Sequence, residues 1–129
     1  MAVVATIIPL NKFRNIATSL STDSTVVYET PDGVSCIILS AACSNKSSSE
    51  VNVTVLIEKA NLPSANTAFT EYTIVPSMSI PPKDVLSATS GRLVLEHGKD
   101  YVHGDRIVAY SSANNAVDFV ISMNEAANE

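Results

Sequence analysis

The chain has 129 residues, a net charge of −5 and an isoelectric point of about 4.9; 46% of its residues are hydrophobic and only 16% charged. This length suits one domain with a core that needs neither disulfides nor metal, and the eight lysines and arginines, scattered singly from Lys12 to Arg106, form no basic stripe to neutralise phosphates, so no nucleic acid partner is expected. So few charges leave a neutral surface rich in Ser, Thr and Asn, which suits a component of an assembly and predicts a homo-oligomer.

The opening stretch, Met1 to Pro9, is apolar but far shorter than the ~20 residues of a membrane span, and it carries no basic leader. No membrane association is expected. Residues 1–12 read as an apolar N-terminal arm with a β-rich run over 3–8, ahead of a sandwich domain over 13–124 and a polar tail over 125–129. Val3, Val4, Ile7, Ile8 and Leu10 are its candidate interface residues, suited to adding a strand to a neighbour's open edge.

Strands are predicted over 13–20 and 24–29. Thr30-Pro31-Asp32-Gly33 then reads as a type I turn, with Pro31 presetting φ at the second position and Gly33 at the fourth. The run 34–43 is apolar on both faces: Cys36, Ile38 and Ala42 against Ile37, Leu39, Ala41 and Cys43. Such a strand should be central, covered on one face by a second sheet and on the other by the N-terminal arm or another subunit. An offset of seven places Cys36 and Cys43 on opposite faces of a regular strand, ~23 Å apart. They read as buried thiols, beyond reach of a disulfide.

Asn45-Lys-Ser-Ser-Ser49 is a polar loop, and it predicts a hairpin between 34–43 and 51–58. Residues 51–58 alternate cleanly, with Val51, Val53, Val55 and Ile57 on one face. After the surface loop Asn61 to Asn66 a strand is predicted over 69–75, and Lys83 to Ala88 offers a single helical turn at most. Strands follow over 91–95 and 106–112, and Asn114-Asn115, tolerant of left-handed backbone, predicts a second hairpin into 117–123. The sum is an all-β, antiparallel sandwich, jelly-roll-like, with eight or nine short strands.

Catalytic machinery is not evident: four glycines build no phosphate cradle, and neither cysteine sits in a nucleophile elbow or beside a histidine. With no Trp and 5% aromatics, a sugar-stacking platform is also poorly supplied. The segment Glu96 to Asp105 holds both histidines, and His97, Asp100, His103 and Asp105 are the candidate metal ligands by donor type. Their spacing fits no standard ligand motif. A solvated loop, with Gly98 and Gly104 supplying turn conformations, is the simpler reading. No cofactor and no enzymatic activity are expected.

Three stretches carry a resemblance. They are Val27-Tyr-Glu-Thr-Pro-Asp-Gly-Val34 feeding an apolar strand that closes in Ser44-Asn45; Ile80-Pro-Pro-Lys-Asp84; and Gly91-Arg-Leu-Val-Leu95 with Ile107-Val-Ala-Tyr-Ser-Ser-Ala113. Over about residues 7–125 the chain resembles small virion structural proteins of tailed bacteriophages, especially those of marine cyanobacteria. The passage Glu96 to Gly104 is longer than the Leu-x-x-Gly-Asp turn common in such proteins. The resemblance implies a non-enzymatic virion component, assembled in the host cytoplasm. It would decorate or cement the head shell, with the major capsid protein or neck and tail proteins as partners. A neck or tail accessory, or a host-surface adhesin displayed on the virion, are the alternatives.

Overall fold

The computed structural model describes residues 11–89 and 91–127. The candidate arm contacts Val3, Val4, Ile7, Ile8 and Leu10, and the run 3–8, lie outside the described residues. Nine antiparallel strands are described: β1 (Asn11–Ser19), β2 (Thr25–Glu29), β3 (Val34–Asn45), β4 (Val51–Ala60), β5 (Phe69–Ile80), β6 (Val85–Ser87), β7 (Leu93–Glu96), β8 (Arg106–Ser111) and β9 (Val117–Ala127). One sheet has the order β1-β9-β3-β6, with β7 also on β3; the other runs β2-β8-β4-β5. With β6 and β7 taken as one interrupted strand, this is the two-sheet order of a jelly roll.

The topology corrects both predicted hairpins. β3 and β4 lie in different sheets, as do β8 and β9, so the 45–49 loop and the Asn114-Asn115 turn cross the sandwich. Asn45 makes the first crossing: buried, it donates from Nδ2 to the carbonyls of Ser49 (2.7 Å) and Ile80 (2.9 Å). Asn115 does adopt the left-handed conformation, at φ 58°. Loop length and turn chemistry are the same for both crossings and hairpins, so the sequence patterns could not tell them apart. The true hairpin is β4–β5, closed where the Asn61 N–H meets the Ala68 carbonyl at 2.8 Å.

The core forms where the period-two faces of both sheets meet. Val51, Val53, Val55 and Ile57 of β4 point inward against Phe119, Ile121 and Met123 of β9 and Leu95 of β7, all buried. β3 has a bulge between Ile38 and Ser40, where its register with β9 slips by one. This overturns the opposite-face reading of the cysteines. The extra residue restores parity, so Cys36, Ile38, Ala41 and Cys43 all face the core, and both thiols are free and buried.

Smaller corrections follow from hydrogen bonding. The turn after β2 is shifted by one: the Val34 N–H reaches the Pro31 carbonyl at 3.2 Å, and Gly33 takes the third position at φ +75°. Val85–Ser87, placed in a helical turn by the sequence reading, is a strand because β3 offers Ala42 to Ser44 as ladder partners. β5 runs through Pro76, with Ser77 at φ 49°; as the edge of its sheet it can give up an N–H there. The C-terminal residues Glu125 to Ala127 are no tail: β9 carries them between β1 and β3 with Glu125 buried, and Asn11 and Lys12, assigned to the arm, already belong to β1.

Candidate interaction surface

The segment 96–105 is anchored at both ends by side chains that enter the protein. Asp105, 4% exposed, accepts from Lys59 Nζ (2.6 Å) and from the backbone N–H groups of Ala60 (3.0 Å) and Glu96 (3.1 Å). His97, 8% exposed, places Nδ1 3.0 Å from the Thr30 carbonyl and Nε2 3.1 Å from that of Tyr101. His103 stacks with Phe69 at a centroid distance of 5.1 Å, and the Arg106 guanidinium lies 3.7 Å from the centre of the same ring. Asp100 is exposed.

Three of the four candidate ligands, His97, His103 and Asp105, are therefore engaged in separate contacts, and Asp100 faces solvent. Among the described residues no group of three or more His, Cys, Asp and Glu side chains is placed to hold a metal ion. The glycines of this segment also serve a different purpose from the one expected. Neither takes a left-handed φ; a Cβ on Gly104 would lie 2.1 Å from the Thr30 oxygen, and one on Gly98 would lie 2.2 Å from the Tyr101 ring. They permit close approach rather than a left-handed backbone.

The outer face of the five-stranded sheet carries several exposed apolar side chains. Residues paired across strands share a face, so the register lists the rows directly. Phe13, Asn124, Ile37 and Val94 form one row across β1, β9, β3 and β7. Asn15, Ser122 and Ser40 form the next, and Ala17, Val120, Ala42 and Ser87 the third. These three rows contain no charged residue. Phe13 is 78% exposed and Val94 51%, and Ile37, Leu39 and Val120 also stand open to solvent. Beyond the third row the polar rim begins, where Ser19 and Lys46 both hydrogen-bond Asp118, at 2.6 and 3.0 Å. Those bonds hold the Asp118 carboxyl below the usual carboxylate range.

The exposed apolar side chains of this face are thus interspersed with small, uncharged polar ones. Ile37 and Leu39 were legible in the sequence, because 34–43 is apolar on both faces. The other three were missed. Val120 carried a signal, as the one apolar residue at a polar-parity position of 117–124, and Val94 sits inside an unbroken Leu-Val-Leu. Phe13 carried none, since its face depends on pairing with Asn124.

No family model matches the sequence, and no curated protein matches it. Two solved structures align with the chain. A protein of the Bacillus endospore appendages, described as disulfide-linked pili, aligns over 99% of this chain and 96% of its own, at 8% identity and a TM-score of 0.47. A chain of the T13 IBDV viral particle aligns over 92% of this chain but only 31% of its own length, at 6% identity and a TM-score of 0.52. At such identities the latter similarity speaks for the jelly-roll fold and for nothing finer.

Proposed function

We propose that this chain is a non-enzymatic structural subunit of a virion, binding repetitively to the head shell as a decoration or cement protein. One observation carries the reading: three adjacent rows of the outer sheet face are uncharged and present Phe13, Ile37, Val94 and Val120 to solvent. Covering them removes apolar area from water without stranding a charge. The fold is one that a chain of an icosahedral viral particle also uses, so it is compatible with a virion role. Val3, Val4, Ile7, Ile8 and Leu10 of the N-terminal arm add a second apolar element for contacts to copies of the chain or to the shell. Standard interfaces bury ~1,600 Å² in total, and repetition over a particle turns modest affinity into stable attachment.

Quantitative mass spectrometry of separated heads and tails tests this. A copy number in the head fraction comparable to that of the major capsid protein is expected. A low copy number confined to the tail or neck fraction would move the chain to a ring or appendage, and absence from particles would overturn the virion role. Binding to host envelope fractions in preference to naked capsids would favour a displayed adhesin.

A further inference from the structure

The sandwich is open along one side. There β5, the edge of the four-stranded sheet, faces β6 and β7, the short strands at the edge of the five-stranded one. β6 and β7 have three and four residues, and no strand lies on their far side or on that of β5 among the described residues. A groove of about 200 Å³ follows this gap, lined by Ile74, Val75 and Met78 of β5 and by Leu86, Ser87 and Ala88. It continues past Ile74 and Ala88 towards Leu93. Ile74, Leu86 and Leu93 are partly buried and pack on the core. The groove thus combines an apolar floor with a strand edge that no described strand pairs, an edge interrupted at Pro76 and Ser77 and free on either side of them.

We infer that this groove receives the N-terminal segment Val3–Ile8 of a second copy of the chain. This rests on the reading of the chain as an assembling subunit, and names the partner and the seat of its arm. The segment Ala2 to Leu10 is uncharged and its only polar side chain is that of Thr6. Six extended residues span ~20 Å, enough to follow β5 from Ile74 to Met78. Pro9 stands between this segment and the strand that starts at Asn11.

The register rules out the chain's own groove. Asn11 pairs with Ala126, in the row of Ser35 and Glu96, at the edge opposite β6 and β7. Three strand spacings, ~14 Å, separate the two edges. Leu93 and Ser87 lie opposite Ile38 and Ala42, three and seven residues further along β3 than Ser35. The near end of the groove is therefore ~17 Å from Asn11, whereas the three Cα steps from Ile8 to Asn11 reach at most ~11 Å. A neighbour's groove carries no such restriction.

The test uses two full-length chains of different isotopic mass, one carrying Val4→Cys and the other Met78→Cys. Met78 is exposed and Cys36 and Cys43 are fully buried, so the new thiols alone should react. Mild oxidation of the mixture is expected to give a disulfide dimer containing one chain of each mass. Adding Ile8→Asp to the first chain should lower its yield at least tenfold. Absence of the mixed dimer would overturn the inference, as would a crosslink formed only within a chain carrying both cysteines. The crosslink is read on free protein, so its failure leaves the head-shell assignment standing. The converse also holds: a mixed dimer from a protein absent from particles would keep this inference and retire the virion reading.

Discussion

Tyr28 and Glu125 lie 97 residues apart in sequence, and the phenol donates a 2.6 Å hydrogen bond to Glu125 Oε2 inside the sandwich. Arg14 Nη1 donates to the same oxygen from 3.2 Å. One contact thus ties β2 of one sheet to β9 of the other, with β1 supplying the compensating charge. Burial, and then the bond to Glu125, push the Tyr28 pKa far upward, so the phenol stays neutral and remains a donor. Tyr28→Phe removes that donor from a buried carboxylate. The expected loss is about 1–3 kcal/mol in denaturant unfolding, with the slope unchanged.

Cys43 sets a limit on the alkaline side. Burial pushes its thiol from 9.0 up to about 12. The folded state holds this proton more tightly than the unfolded chain, so the contribution is complete below pH 9 and is lost as pH rises towards about 12. Tyr28 acts in the same direction. Unfolding midpoints should therefore fall steadily above pH 9, and Cys43→Ala should make that fall shallower while costing some stability at neutral pH.

The glycines of the 96–105 segment should differ in what they tolerate. A methyl group on Gly104 meets the Thr30 backbone oxygen at 2.1 Å, which has no room to give. On Gly98 it meets the Tyr101 ring, which can rotate aside. Gly104→Ala is expected to destabilise by about 2–5 kcal/mol and Gly98→Ala by about 1 kcal/mol. Thermal melts of the two variants side by side check the ordering.

Asp105 holds the same segment through its carboxylate. Asp105→Ala strands the N–H groups of Ala60 and Glu96 together with the Lys59 ammonium, at an expected cost of about 2–5 kcal/mol. Hydrogen exchange should show faster opening at Glu96 and Ala60 first. A chelator added to the unmodified protein is expected to leave its melting midpoint where it was.

The outer sheet face should separate stability from association. Phe13→Ser and Val94→Ser change exposed side chains, so folding stability should move by no more than about 0.5 kcal/mol. Attachment to particles is expected to drop severalfold for each and to vanish in the double variant, as read by co-sedimentation. Full binding by the double variant would remove this face from the interface.

Much of the strand content was legible because alternation needs no partner to be seen. The inward set of β4 and the end of β2 at Glu29 were read directly, and the ends of β1 and β8 came out one residue long, at 20 and 112 against Ser19 and Ser111. The bulge in β3 was not legible. It depends on how β9 pairs with that strand, and one extra residue there decides that Cys36 and Cys43 share a face. The buried Glu125 was hidden for the same reason: a polar run at a chain end resembles a tail until β1 and β3 bracket it.

Composition and alternation pointed to an antiparallel β-sandwich, because strands with one apolar face and no helix-length pattern between them bury that face against a second sheet. They also determined that β3 would be apolar on both faces. Only the tertiary structure decided which strands share a sheet, since a loop of given chemistry can turn a hairpin or cross a sandwich. It likewise decided which apolar residues stay in water. Phe13, Ile37 and Val94 form one surface only because β1, β3 and β7, far apart in sequence, are brought into register with β9 at Asn124.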